Sequence, residues 1–352
     1  MKKIRIASYP PTGFDNPYHD LFYGALQSYE IEHDKTYRYS NKWLEENKDK
    51  IDFLHFHWVS YLYNDPSLKI TAKEALKFIL YLIKVRRLNI RIIWTNHNFF
   101  PHQSKSRIID YIVRIFLIHF SDLIIVHNAE AKKLLARFFF RRSQVILIHH
   151  GNYQRWYKNS TTQKEARQKL GLPTDGFVFL LFGTLKPYKG TERLITAFSE
   201  IGDKKSYLVL AGRPFNTDYA EKLRQLAEGN PNIKLEFRFI EDDMVHIYFN
   251  SADIFVLPSQ NTLTSGSLLL SISFGLPVLI PNKASLREYV NSSCSYVMRD
   301  DETLVESLRN ASSQIHAGQM GNREEVKNWA KGFDWDNIVK PLVYEIRRLA
   351  KA

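Results

Sequence analysis

Short apolar runs alternate with longer amphipathic stretches along most of the chain. Ile4–Ser8, Phe53–Trp58, Arg91–Thr95, Leu123–His127 and Val145–His149 read as strands. Apolar residues recur at helical spacing over 73–88, 104–120 and 129–139. Strand, helix, strand repeated in this way predicts a parallel sheet covered by helices. A polar stretch at 152–176 interrupts the pattern, which then restarts. Phe177–Phe182, Ser206–Ala211, Ile233–Phe237, Ile254–Leu257 and Pro277–Ile280 read as strands, with helices over 190–201, 217–228, 243–251, 266–274 and 302–316. Two α/β units of similar size fit 352 residues, with a linker near 152–165 and a helical segment from Trp335 to Ala352.

Composition narrows the class. With 44% hydrophobic and 24% charged residues, the chain is neither disordered nor fibrous. The single cysteine, Cys294, excludes a disulfide framework and a multi-cysteine zinc site. The N-terminus lacks the apolar core of a signal peptide. The most apolar stretch, 108–126, is broken by Asp110, Arg114, His119 and Asp122, so no membrane-spanning helix is expected. A cytoplasmic protein is the expectation. The net charge is +12, and residues 1–150 hold 23 Lys and Arg against 14 Asp and Glu, along with ten of the twelve histidines. The two halves therefore have different chemistry, and the basic excess suggests an anionic partner: phosphate, nucleic acid or an acidic membrane face.

In open parallel sheets, ligands bind beyond the carboxyl ends of the strands. The first strand runs into Pro10-Pro11-Thr12-Gly13-Phe14-Asp15-Asn16-Pro17-Tyr18, a turn-rich loop carrying the carboxylate of Asp15. This loop could equally be a helix cap. The second strand ends His55-Phe56-His57-Trp58, with both histidines on one face. They suit substrate binding, a hydrogen-bonded structural role, or metal ligation, though no third metal ligand can be placed. The third strand ends Thr95-Asn96-His97-Asn98, polar groups fitted to hydroxyl or phosphate recognition. The fifth ends His149-His150-Gly151, at the linker.

In the second half, Phe182 is followed by Gly183-Thr184-Leu185-Lys186-Pro187-Tyr188-Lys189-Gly190 and then a helix, a natural phosphate site. It is not a Walker loop, and no GxGxxG follows the first strand. The strongest feature is Leu257-Pro258-Ser259 leading to Thr264-Ser265-Gly266-Ser267 and an apolar helix. Free amides at that helix start, with Ser and Thr hydroxyls, make an anion site.

These residues carry a family resemblance. Phe182-Gly183 with Lys189-Gly190, Ala252-Asp253 before Leu257-Pro258-Ser259, and Gly275-Leu276-Pro277-Val278 resemble the C-terminal domain of family 4-like glycosyltransferases. Asn16-Pro17-Tyr18, His55-Phe56-His57-Trp58, Trp94-Thr95-Asn96-His97-Asn98 and His150-Gly151 resemble bacterial exopolysaccharide glycosyltransferases of that group. The resemblance implies an α/β GT-B fold: two Rossmann-like domains whose parallel sheets face a central cleft. It implies an acceptor-binding domain over 1–155, a nucleotide-sugar-binding domain over 165–332, and a C-terminal helix over 333–352 crossing back to the first. Lys189 matches the family's phosphate-binding lysine, and His97 a histidine that contacts the donor sugar. Thr184 stands where an arginine is usual, so Lys186 is expected to share the diphosphate charge. Thr262 and Leu270 stand where retaining members carry two glutamates, a variant that resembles β-mannosyltransferase-like enzymes.

The implied activity is metal-independent transfer of a hexose from a nucleotide-diphosphate sugar to a saccharide or lipid-linked acceptor. No cofactor and no nucleic acid partner are expected. Gly183, Thr184, Lys186, Lys189, Thr264, Ser265, Gly266 and Ser267 are the expected diphosphate ligands. Asn16, Tyr18, His57, Trp58, Asn98 and His150 are expected at the acceptor or sugar. If the reaction inverts, Asp15 is the first candidate base and His97 the second. A non-catalytic nucleotide-sugar binder and a non-hydrolysing epimerase share the implied fold. The basic residues around Phe78-Ile79-Leu80-Tyr81-Leu82-Ile83 and Leu134-Leu135 with Phe138-Phe139-Phe140 suggest an anionic membrane surface under the first domain. That would place the protein peripherally at the inner face of the membrane.

Overall fold

The computed structural model describes residues 3–13, 16–101, 104–259 and 262–351. The chain forms two compact units, one of residues 1–151 with 334–352, the other of residues 152–333.

The first unit runs β1 (Ile4–Tyr9), α1 (Tyr18–Gln27), β2 (Ile31–Asp34), α2 (Asn41–Asn47), β3 (Phe53–Phe56), α3 (Leu68–Arg87), β4 (Arg91–Asn96), α4 (Arg107–Phe120), β5 (Leu123–Val126), α5 (Ala129–Phe139) and β6 (Val145–Leu147). The second runs α6 (Gln163–Leu170), β7 (Phe177–Phe182), α7 (Thr191–Ile201), β8 (Ser206–Ala211), α8 (Thr217–Ala227), β9 (Ile233–Glu236), α9 (Asp242–Ser251) and β10 (Ile254–Val256). It continues through α10 (Gly266–Ser273), β11 (Val278–Ile280), α11 (Ala284–Arg287), β12 (Ser295–Val297), α12 (Leu304–His316) and α13 (Arg323–Ala330). The chain ends on α14 (Trp335–Ile338) and α15 (Lys340–Lys351), which belong to the first unit.

Each unit holds one six-stranded parallel sheet, ordered β2-β1-β3-β4-β5-β6 and β12-β11-β10-β7-β8-β9. Helices cover both faces, so β3, β5, β7 and β10 are buried throughout, and all but β3, which His55 interrupts, read as unbroken apolar runs. Two edge strands escape the sequence pattern. Ile31–Asp34 has one apolar residue, and Ser295–Val297 has three residues in all. A short edge strand needs little apolar character because one side lies open.

Strand alternation sorts the first unit's sheet into two faces. Register puts Ile6 beside Phe53, Ser8 beside His55, His55 beside Ile93, and Thr95 beside Ile125. This face packs against Phe22 and Leu26 of α1 and against Trp335, Leu342, Val343 and Ile346 of α14 and α15. It is apolar toward the strand starts and polar toward their carboxyl ends, at Ser8, His55, Thr95 and His127. In the second unit, α7, α8 and α12 bury Leu194, Ile195, Leu223 and Leu308 against one face of β7 and β8. On the other face, Phe182 meets Phe249, which stacks on Phe274.

Trp335 pins the terminal helices to the first unit. A Cβ built on Gly151 would lie 2.2 Å from the Trp335 ring, so only glycine lets the backbone pass. Trp335→Ala is expected to cost about 3–5 kcal/mol through cavity formation. Gly151→Ala is expected to cost about 1–3 kcal/mol through overpacking. Urea unfolding midpoints of the two variants check both values.

Candidate functional site

Both sheets reverse their strand order once. In the second unit the reversal falls between β7 and β10, the place beyond whose carboxyl ends open parallel sheets bind their ligands. Gly183 follows β7 at φ +102°, a left-handed conformation that favours glycine. A Cβ built on it would lie 3.5 Å from Ser267 Oγ and 3.7 Å from Lys189 Nζ. A glycine, a hydroxyl at a helix start and an ammonium thus converge on one point. Gly212, after β8 at φ +145°, packs on the Gly183 carbonyl, where a Cβ would come to 2.1 Å. That second glycine holds the first in place.

Ser265 Oγ caps α10 by accepting from Leu268 N at 3.2 Å. The first amides of this helix otherwise have no intrahelical acceptor, and the helix dipole adds positive potential. Thr262 donates to Ser259 Oγ at 2.6 Å, and Ser259 donates to the Tyr188 carbonyl at 3.1 Å, tying the preceding loop to the Lys189 turn. Burial, with Lys186 adding like charge, pulls the Lys189 pKa down to about 8. Lys189 has no ion-pair partner among the described residues. An ammonium held that way gains from an anion. Thr184 is exposed, while Lys186, Thr264 and Gly266 are half-buried.

In the first unit the reversal falls between β1 and β3. Tyr18, at the start of α1, is the hub of an aromatic and imidazole cluster. Its ring lies 5.0 Å from His97, 5.1 Å from His150, 5.3 Å from Trp335, 5.8 Å from His57 and 6.1 Å from Trp58. Asn16 Oδ1 accepts from Tyr18 N at 3.0 Å, fixing the helix start. Tyr18, His57 and His150 are buried, whereas Trp58, His97 and Asn98 are partly open and Asn16 is exposed. Trp58 stacks on His97 with centroids 4.5 Å apart. Asp15 lies outside the described residues.

Sequence reasoning picked out His55 and Thr95 behind this front but missed Tyr23, His19, His33 and His127. Tyr23 OH sits 2.8 Å from His55 Nδ1 and 2.9 Å from His57 Nε2. His55 Nε2 meets Thr95 Oγ1 at 2.8 Å, and His57 Nδ1 meets His97 Nε2 at 3.1 Å. His127 Nδ1 donates to the Ile148 carbonyl and His150 Nδ1 to the Gly151 carbonyl. His33 stacks on Tyr23 with centroids 3.6 Å apart, and His19 stacks on Trp58. The available signal was the i, i+2 pairing of His55 with His57 and of Thr95 with His97. Nothing in the sequence marks Tyr23 as the group between the strands. Among the described residues, no three His, Cys, Asp or Glu side chains are grouped to hold a metal ion.

Burial lowers the pKa of these imidazoles, to about 3 for His19 and His127 and to about 4 for His33 and His150. His55, His57 and His97 are pushed well below their ordinary value, first by burial and then by neighbouring histidines. All are neutral at pH 7. Because the unfolded chain binds these protons near pH 6.5 and the folded chain does not, acid favours unfolding. Each histidine then costs about 1.4 kcal/mol per pH unit below that point, down to its folded pKa. Urea midpoints are expected to change little between pH 7 and 8 and to fall steeply between pH 6.5 and 4. His127→Asn should flatten that slope.

The chain is similar to known proteins in both sequence and fold. Residues 162–332 match the family described as glycosyl transferases group 1. The chain is 25% identical over 338 residues to a GDP-mannose:glycolipid 4-beta-D-mannosyltransferase of Xanthomonas campestris, covering 93% of this chain and 87% of that protein. It is 22% identical over 292 residues to a lipopolysaccharide 1,2-N-acetylglucosaminetransferase of Salmonella typhimurium, covering 77% and 72%. Among solved structures, the sucrose-phosphate synthase of Thermosynechococcus elongatus superposes with a TM-score of 0.74 at 17% identity, covering 98% and 99%. Anabaena HepE in complex with UDP gives 0.73 at 16% identity, covering 98% and 100%.

Proposed function

The chain is a glycosyltransferase with a group 1 domain and the GT-B fold, and we propose that it moves a hexose from a nucleotide-diphosphate sugar to a lipid-linked saccharide. GDP-mannose is the donor this reading favours, since the relative that carries that donor in its name matches 93% of the chain. The observation that carries the reading is the convergence of Gly183, Lys189 Nζ and Ser267 Oγ at the second unit's switch point. In this reading residues 165–332 hold the donor and residues 1–155 the acceptor.

Transfer needs charge stabilisation where the diphosphate leaves. Lys189, with Lys186 nearby, and the amides of Ser265, Gly266 and Ser267 supply it. Thr184 and Thr264 complete the polar lining. His97 and Trp58, with Asn16 and Asn98, take the sugar and the acceptor, over a floor made by Tyr18, His57 and His150. The acceptor oxygen bonds to the anomeric carbon as the carbon–phosphate oxygen bond breaks, and that electron pair passes to the diphosphate. A β-mannoside made from an α-configured donor requires inversion, and Asp15 is the base proposed to receive the acceptor proton.

A lipid-linked acceptor gives the first unit's surface a use. Among the described residues no helix is long and apolar enough to cross a membrane. Of the apolar run at 78–83, Phe78, Ile79, Tyr81 and Leu82 are core, which removes most of it as a surface. What lies open instead is Leu76 and Leu80 of α3, Ile108, Ile112 and Ile115 of α4, and Phe138 and Phe140. Lys69, Lys73, Lys77, Arg107 and Arg137 are exposed on the same elements. Apolar residues set among basic ones suit an anionic lipid surface at the inner face of the membrane.

A panel of UDP- and GDP-sugars, read by nucleoside diphosphate release with a glycolipid acceptor, tests the reading. GDP-mannose is expected to be turned over fastest, and Asp15→Asn to lose about 100-fold or more in kcat. Lys189→Ala is expected to weaken donor binding by about tenfold or more, the worth of a charged hydrogen bond. In the unaltered protein donor affinity should fall as pH rises through about 8, because the neutral amine no longer pairs with phosphate. Release without any sugar appearing on the acceptor would overturn the transfer. Flotation with anionic but not neutral liposomes, reduced in Ile112→Glu, checks the surface.

A further inference from the structure

The polar groups beneath His97 form one unbroken hydrogen-bonded series. It runs from Thr95 Oγ1 to His55 Nε2 (2.8 Å), from His55 Nδ1 to Tyr23 OH (2.8 Å), from Tyr23 OH to His57 Nε2 (2.9 Å), and from His57 Nδ1 to His97 Nε2 (3.1 Å). Thr95, His55, Tyr23 and His57 are each no more than 3% exposed. His97 alone is partly open. Its Nδ1 has no partner among the described residues.

Each imidazole is neutral, because burial holds its pKa far below 7. A neutral imidazole has one N–H and one lone pair, so a histidine bonded through both nitrogens donates at one and accepts at the other. The Tyr23 phenol also has one hydrogen, and its hydrogen-bond partners among the described residues are the two histidines, the Ser8 hydroxyl lying nearby but outside hydrogen-bond geometry, so it donates to one histidine and accepts from the other. The four bonds must therefore all point the same way. Only two arrangements exist, and they give His97 opposite characters.

The buried end of the series decides between them. Thr95 is wholly buried, and His55 Nε2 is its hydroxyl's hydrogen-bond partner among the described residues. If the series pointed inward, His55 would donate to Thr95 and the threonine hydrogen would be left unmet. An unmet buried donor costs about 1–3 kcal/mol, whereas an unfilled oxygen lone pair is tolerated more readily. Thr95 therefore donates to His55, His55 Nδ1–H to Tyr23, Tyr23 O–H to His57 Nε2, and His57 Nδ1–H to His97 Nε2.

We infer that Thr95, His55, Tyr23 and His57 are positioning residues that lock His97 in the Nδ1–H tautomer, so that it presents a hydrogen-bond donor, not a base, to a hydroxyl of the bound sugar. The lock itself is a property of the first unit, while its use in transfer rests on the proposed contact between His97 and the sugar. The same logic removes His97 as the inverting base. Its Nε2 lone pair is occupied by His57, and freeing Nδ1 would require every bond in the series to reverse.

Long-range 1H–15N correlation of the full chain labelled with 15N-histidine reads the tautomers directly, with assignments from single His→Gln variants. His55, His57 and His97 are all expected to carry the proton on Nδ1. Thr95→Val removes the hydroxyl at nearly constant shape and should shift His97 toward Nε2–H, while Thr95→Ser restores Nδ1–H. Protonated Nε2 at these three histidines in the unaltered protein overturns the lock, and that spectrum decides even if Thr95→Val fails to fold. In transfer assays Thr95→Val is expected to lose about two- to tenfold in kcat/KM, the worth of one hydrogen bond, with recovery in Thr95→Ser. A tautomer that shifts while kcat/KM does not would overturn the contact between His97 and the sugar, and the lock would stand.

Discussion

A parallel sheet delivers the carboxyl ends of all its strands to one edge. When its strand order reverses, the two connections at the reversal lead to opposite faces and leave a crevice between them. Both units meet this constraint, one between β1 and β3, the other between β7 and β10. Every residue assigned a chemical role follows from it. Gly183 and Lys189 follow β7, the Ser259 loop and α10 follow β10, His57 and Trp58 follow β3, and His97 follows β4. The helices beyond these strands turn their amino ends to the same edge, so positive potential collects where an anion would leave.

The two switch points handle charge in opposite ways. The second unit keeps Lys189 without a carboxylate partner among the described residues and with its pKa pulled down, which suits the anion proposed for it. The first unit buries a group of imidazoles and keeps them neutral, pairing His33, His55, His57, His97, His127 and His150 with a phenol, hydroxyls, backbone carbonyls and one another. A low-dielectric interior makes such a network rigid when its members are satisfied. The histidine excess in residues 1–150 is therefore less a store of positive charge than a scaffold of directed hydrogen bonds.

What could be read from the sequence depended on how local each feature is. The buried strands were legible because burial on both faces demands continuous apolar runs such as Phe177–Phe182. The edge strands β2 and β12 were not, since Ile31–Asp34 has one apolar residue and Ser295–Val297 is only three residues long. The proposed anion site was legible because each of its parts is local: Gly183, Lys186 and Lys189 lie within one turn-rich segment, and Ser265 stands directly before the helix it caps. Gly212 was not, because its need for φ +145° comes from the Gly183 carbonyl in the neighbouring strand's loop. The histidine series was half legible. Alternation placed His55 and His57 on one face, but Tyr23 reaches between them from a helix more than thirty residues earlier.

The account stands or falls on the place of the leaving diphosphate. A crystal structure with GDP bound measures it directly. The β-phosphate is expected within hydrogen-bond distance of Lys189 Nζ and of the amides at the start of α10, with the α-phosphate alongside Gly183. GDP bound elsewhere on the chain, with Lys189 left unpaired, would contradict it.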